Sequence, residues 1–150
     1  MIDITNSTSY SIDILSAQKY IKQMLRYLKV NISSDISILF VDSKEMTIQH
    51  LKWMKEDGPT DVMSFPMDDI LLGSKESKKH AILGDIIICP EVALNDARKQ
   101  SINPAKHLVF LMAHGVLHLL GQDHQEKDKR SQMQKREQGI MKSLRTVKKI

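Results

Sequence analysis

An apolar helix that ends at a glycine is predicted by the sequence Leu108-Val-Phe-Leu-Met-Ala-His114-Gly-Val-Leu-His118-Leu-Leu-Gly121-Gln-Asp-His124. Pro104 suits the first turn of this helix, and Gly121 can supply the left-handed cap that ends it. His114 and His118 are four residues apart, so they lie on one face of the helix. The turn at Gly121 lets His124 approach the same point from the side.

Three histidines in this arrangement favour a metal site, although a histidine pair at helical spacing alone is more often a surface or packing feature. Buried imidazoles need hydrogen bonds or a metal, because burying an unpaired polar group costs several kcal/mol. Three protein ligands leave a fourth position for water, as in catalytic zinc sites. We therefore predict one metal ion per chain, held by His114, His118 and His124, with His114 also a candidate catalytic residue.

Gly115 occupies the position where metalloprotease helices carry the glutamate that acts as general base. A peptidase is therefore disfavoured. Since glycine inside a helix costs about 1 kcal/mol relative to alanine, its presence needs a physical reason. A side chain there would crowd either the substrate or a packed strand.

The rest of the chain predicts one domain spanning residues 1–150, because 150 residues with 41% hydrophobic content can build one core. Helical and strand patterns alternate, which predicts an α+β fold with a small mixed sheet covered by about five helices. The predicted helices cover residues 13–30, a short segment with Ser43 as N-cap, 90–100, the segment from 104, and 125–144. The predicted strands cover 36–41, 61–66 and 83–89, the last central in the sheet, and 68–79 is predicted to be an exposed loop.

The composition indicates in which compartment the protein works and which partners it could bind. Cys89 lies in an apolar run and is expected to be a buried structural thiol. The chain lacks both a run of membrane-spanning length and a signal-peptide pattern, which predicts a cytoplasmic protein. The net charge is +4, and basic residues concentrate at the end of the chain. Either a solvated helix face or contact with a polyanion explains these residues, which are Lys127, Lys129, Arg130, Lys135, Arg136, Lys142, Arg145, Lys148 and Lys149.

Three segments resemble the signature blocks of the YbeY family of bacterial endoribonucleases: 59–66 (PTDVMSFP), 83–90 (LGDIIICP) and 114–124 (HGVLHLLGQDH). The likeness extends from an N-terminal strand through the last helix. It implies a single-domain α+β fold with zinc on His114, His118 and His124. It also implies cleavage of single-stranded RNA in ribosomal RNA maturation, at the 3′ end of 16S rRNA, and in ribosome quality control. The implied partners are the small ribosomal subunit and assembly factors.

The chain departs from the family pattern at two positions. Met54 stands where the family commonly has an arginine that is expected to hold phosphate. Lys52 or Lys55 could supply the charge, but an ammonium only partly replaces a bidentate guanidinium. Gln122 replaces a more usual aromatic residue, at a position that is not a ligand.

Several polar residues are candidates for the rest of the site. The expected nucleophile or proton acceptor is a water or hydroxide on the metal, and Asp85 is the candidate catalytic carboxylate. Asp85 lies in an apolar strand, where it either faces the site or caps a turn after Gly84. Thr60, Asp61 and Ser64 could line the same cleft, although Asp61 could equally serve a turn.

The remaining histidines are not expected to bind the metal. His107 shares the helix face of His114 but lies about 10 Å farther along the axis. His50 and His80 have no ligand spacing and are expected to be exposed. Asp123 could orient a ligand imidazole or cap the last helix.

In an alternative function the protein binds a metal but catalyses no reaction. The domain could be a ribosome-binding or assembly module with a structural zinc and no turnover of its own. Such a closed site needs a fourth protein ligand, for which Cys89 is the only soft candidate.

Overall fold

Four strands form one mixed sheet in the computed structural model, which describes residues 1–144, 147 and 150. They are β1 (Ile2–Asn6), β2 (Asp35–Phe40), β3 (Val62–Pro66) and β4 (Ile82–Ile88), in the order β1-β2-β4-β3. β1 and β4 pair with β2 in parallel, whereas β3 is antiparallel to β4. The predicted central position of β4 is therefore confirmed.

Five α-helices surround this sheet in the described part of the chain: α1 (Ile14–Tyr27), α2 (Ser43–Met54), α3 (Pro90–Lys99), α4 (Pro104–Leu119) and α5 (Lys127–Ser143). The predicted α+β architecture is confirmed. The loop after β3 also contains a short 3-10 helix, Glu76–Lys78. None of the described helices is both long and apolar enough to cross a lipid bilayer.

The start of α2 differs from the prediction by one residue. Asp42, rather than Ser43, is the N-cap, and its carboxylate accepts a hydrogen bond from the backbone N–H of Glu45 at 2.9 Å. Both residue types cap helices well, so sequence alone does not choose between neighbours. The structure identifies Asp42 as the cap because its backbone is extended, and an N-cap residue lies outside the helical conformation.

The two faces of the sheet carry different clusters because successive strand side chains point to opposite sides. Ile38 of β2 and Ile86 of β4 belong to the large core, which also contains Met112 and Leu117 of α4. Each such buried side chain contributes about 1.5–3 kcal/mol through removal of apolar surface from water. On the other face a smaller cluster joins Val41, Met46, Met63 and Cys89.

Gly115 brings α4 close to β4. A Cβ at this position would lie 2.9 Å from both Cδ1 and Cγ2 of Ile86. Of the two sequence explanations for this glycine, room for a packed strand is therefore the one that the contacts confirm.

Cys89 is fully buried, as expected, in the smaller cluster. Burial raises the pKa of its thiol, so the protonated form is favoured. Its environment is that of a structural side chain.

The basic residues Lys127, Lys129, Arg130, Lys135, Arg136 and Lys142 are exposed on α5. The other three basic positions of the predicted tail, Arg145, Lys148 and Lys149, lie outside the described residues.

Candidate metal centre

The end of α4 and the turn after it bring His114, His118 and His124 together. One ligand atom from each ring lies within 4.8 Å of those of the other two. The Nε2 atoms of His114 and His118 are 3.0 Å apart. The ring centroid of His124 lies 5.6 Å from that of His114 and 5.3 Å from that of His118. Three imidazoles in this group can hold a metal ion.

The turn that places His124 depends on Gly121, whose φ is +82°. Its backbone N–H donates to the carbonyl of His118 at 3.1 Å, and the N–H of Gln122 donates to the carbonyl of Leu117 at 3.0 Å. The left-handed backbone favours glycine. A Cβ would also lie 2.6 Å from Cδ2 of Leu71, but that side chain is exposed and can move, so the backbone conformation is the constraint at this position.

A carboxylate from α5 orients the first histidine. Oε2 of Glu137 lies 2.6 Å from Nδ1 of His114, and Glu137 is only 5% exposed. An ionised carboxylate can only accept, so Nδ1 carries the proton and the lone pair of Nε2 is left for a cation. Sequence reasoning missed Glu137. Its position between Met133 and Ile140, on the buried stripe of α5, was the available signal.

The pKa of His118 lies below its ordinary value of 6.5, chiefly because burial penalises the charged ring. The neighbouring His114 and His124 lower the pKa further, and the Gln122 backbone and the Glu137 charge oppose the shift. A neutral imidazole keeps a lone pair available, which metal binding requires.

The three histidines line one side of a cavity of about 480 Å³. Thr60, Asp61 and Ser64 line it too, as expected for this segment. The Ser64 hydroxyl donates to the carbonyl of Gly115 at 3.3 Å. Asp61 also serves the backbone, since its carboxylate accepts from the N–H of Val62 at 2.7 Å.

His50 was expected to be exposed, and this expectation is wrong. Its side chain is only 12% exposed and lines the same cavity. Nδ1 lies 2.8 Å from the carbonyl oxygen of Gly58, and Nε2 lies 3.2 Å from Glu56. The chain after α2 folds back over this ring, which spacing within α2 does not reveal.

The other two histidines stay outside the three-histidine group. His80 is exposed, as expected. His107 is buried, 8% exposed, and its ring stacks on Phe110 with centroids 6.1 Å apart.

Asp85 is not brought to the histidines. Ile86, the next residue, points at Gly115 of α4, so strand alternation directs Asp85 to the opposite face of the sheet. Asp85 is exposed and is not among the residues that line the cavity. The placement gives no support to a carboxylate role for it.

Asp123 serves the turn before α5. Its carboxylate accepts from the N–H of Gln125 at 3.3 Å and lies 3.9 Å from the ammonium of Lys129. The carboxylate that contacts one of the three imidazoles is that of Glu137 instead.

Met54 lines the cavity, whereas Lys52 and Lys55 do not. The ammonium of Lys52 lies 5.0 Å from the centre of the Trp53 ring, a cation–π distance. The two lysines considered as substitutes for an arginine are thus not among the lining residues.

Comparison with known proteins places these features in a family. The model of the family described as Endoribonuclease YbeY matches residues 3–145. Endoribonuclease YbeY of Bifidobacterium longum subsp. infantis is 39% identical over 132 residues, which cover 88% of this chain and 72% of that protein. The protein of the same name from Beutenbergia cavernae is 39% identical over 132 residues, covering 87% and 88% respectively.

The fold has a solved counterpart as well. A Thermotoga maritima protein solved in solution superimposes with a TM-score of 0.68, covering 96% of this chain and 89% of that one. At 21% identity this likeness concerns the fold alone. The match over residues 3–145 and the identity to curated relatives carry the conclusion that the chain belongs to the Endoribonuclease YbeY family.

Proposed function

We propose that this protein is a metal-dependent endoribonuclease that cleaves single-stranded RNA during ribosomal RNA maturation. The observation that carries the proposal is the convergence of three imidazoles beside an open cavity in a chain of this family. The proposed target region is the 3′ end of 16S rRNA, with a further role in ribosome quality control. The whole chain, residues 1–150, would act as one hydrolase domain.

The proposed cofactor is one Zn²⁺, held by His114, His118 and His124. Three neutral imidazoles suit zinc well. A bound zinc ion supplies Lewis acidity toward a phosphate oxygen and toward water.

The chain's own residues prepare the site. Glu137 fixes the ring and the proton of His114 through the 2.6 Å contact. Burial lowers the pKa of His118 and so favours its neutral form. The contact from Ser64 to the Gly115 carbonyl ties β3 to α4, so one wall of the cavity is held against the histidines.

The proposed partners follow from the same function. Single-stranded RNA is the substrate, and the small ribosomal subunit with its assembly factors is the expected context. We place this activity in the cytoplasm, where ribosomes mature.

A structural zinc in a binding module without turnover is the competing proposal, and the donor set argues against it. Among the described residues, the group that could hold a metal consists of three histidines and contains no cysteine or carboxylate. Cys89 lies in the cluster on the other face of the sheet. Three ligands leave a position for substrate or water, as catalytic sites do.

The test is cleavage of a short single-stranded RNA by the purified protein. We expect cleavage with added zinc, loss of cleavage with a chelator and in His118→Ala, and no digestion of casein. His80→Ala is the matched control, because His80 is exposed and outside the group. One tightly held zinc with no RNA cleavage would instead support the structural alternative.

A further inference from the structure

A second, smaller cavity adjoins the histidines on the side of α5. It measures about 230 Å³ and shares His114 and His124 with the larger one. Its other walls come from α4 and α5, namely Phe110, Arg130, Met133, Gln134 and Glu137. The two cavities therefore flank the candidate metal centre, so a strand crossing the centre would occupy both.

The two cavities differ in charge. No lysine or arginine is among the residues that line the larger cavity, which instead includes Glu56 and Asp61. Arg130 is the one arginine or lysine among the described residues that line either cavity. Apart from a bound metal ion, an RNA phosphate at the histidines would therefore meet a positively charged side chain of the cavity linings only on the α5 side, in the described part of the chain.

Arg130 is exposed and already anchored beside the centre. Its Nε donates to the backbone carbonyl of His124 at 3.2 Å. In the described part of the chain Arg130 forms no ion pair. The N–H groups on its two terminal nitrogens therefore remain available as hydrogen-bond donors. A planar guanidinium presents such donors in pairs that match a phosphate.

We propose that Arg130 binds an RNA phosphate next to the metal centre and that the smaller cavity seats the nucleotide attached to it. This inference rests on the proposed function. Phe110 is half-buried and lines that cavity, so its ring gives the cavity apolar surface against which a base can pack. Glu137, the acid in the cavity, is already bound to His114.

Arg136 provides a matched control on the same helix. It lines a different cavity, together with Tyr27 and Lys29, and is also exposed. A general attraction of RNA to basic α5 would respond alike to either arginine, whereas a phosphate site at the histidines responds to Arg130 alone.

The experiment measures binding of a short single-stranded RNA by fluorescence anisotropy at several salt concentrations, in chelator so that the RNA is not cleaved. The zinc stoichiometry of each variant is measured separately, before the chelator is added. For Arg130→Gln we expect about tenfold weaker binding and a salt dependence reduced by about 0.7 in log–log slope, as for one lost phosphate contact. Arg130→Lys should restore the slope but not the full affinity. Arg136→Gln should change affinity less than twofold.

Three results would overturn the inference: unchanged binding in Arg130→Gln, an equal loss in Arg136→Gln, or a loss in Arg130→Gln that accompanies loss of zinc stoichiometry. In the third case Arg130 acts by holding His124 in place. If the wild-type protein neither binds nor cleaves RNA, the proposed function itself fails. Cleavage by the wild type together with unchanged binding in Arg130→Gln rejects only the role of Arg130.

Discussion

The contact between His114 and Glu137 sets the chemistry of the centre at the level of single atoms. The 2.6 Å distance and the near-complete burial of Glu137 favour a strong, charge-assisted hydrogen bond. Such a bond fixes which ring nitrogen carries the proton and leaves the lone pair of the other for a cation. The histidine is thereby prepared to bind a cation before any cation arrives.

Glu137→Gln should weaken zinc binding by about 10- to 100-fold, because the amide retains the shape but not the charge of the acceptor. Competition with a chromogenic zinc chelator measures the affinity. Glu126→Gln, which changes an exposed acid at the start of α5, is the control and should leave the affinity unchanged. Equal affinities in Glu137→Gln and wild type would contradict the proposed role.

Sequence predicted the residues whose positions are set locally and missed those set by packing. The three histidines lie within one helix and its turn, so helical spacing and one glycine suffice to bring them together. Glu137 reaches His114 across 23 residues through the packing of α5 on α4. His50 becomes part of the cavity because the segment after α2 covers it.

At the level of elements, the approach of α4 to β4 determines how the histidine helix sits on the sheet. Gly115 faces Ile86, and Ser64 of β3 donates to the carbonyl of that same glycine. The helix is therefore fixed against two neighbouring strands at the turn where His114 and His118 lie. The precision of the centre depends on this packing.

Gly115→Ala should destabilise the protein by about 1–2 kcal/mol. Overpacking against Ile86 costs about 1–3 kcal/mol, and the better helix propensity of alanine offsets up to about 1 kcal/mol. Urea denaturation measures the change. In an Ile86→Val background the penalty should be smaller, since one of the two close carbon atoms is removed. A fully additive double-mutant cycle would show that this contact is not the cause.

Most elements follow from periodicity, and the exceptions have identifiable causes. The sequence pattern did not predict β1, because only Ile2 and Ile4 alternate there and the segment that follows is polar. Two apolar residues are too few to indicate a strand. The pairing of β1 with β2 supplies the missing partner. Asp85 could not be assigned to a face, because β4 is apolar on both sides and only the position of α4 decides which side is the site.

At the scale of the whole molecule, the centre links stability to pH. The pKa of His118 is lowered in the folded state, so the unfolded chain binds the proton more readily. The stability that this group contributes is present above the unfolded value of 6.5 and is lost as the pH falls through the folded pKa.

The metal-free protein should therefore lose stability as the pH falls below about 6.5. Urea denaturation of chelator-treated protein between pH 8 and pH 5 measures this dependence. His118→Gln should flatten it, and His80→Gln, at an exposed position, should not. Identical pH profiles for His118→Gln and wild type would contradict the prediction.

The parallel pairing of β2 with β4 has a consequence for how the protein is made. The two strands are more than 40 residues apart, so the middle of the sheet stays incomplete until synthesis has passed Ile88. α4 and then α5 emerge later, and Glu137 comes after all three histidines. A nascent chain halted before α5 would carry the imidazoles without the carboxylate that orients His114, so metal capture should be a late event of translation.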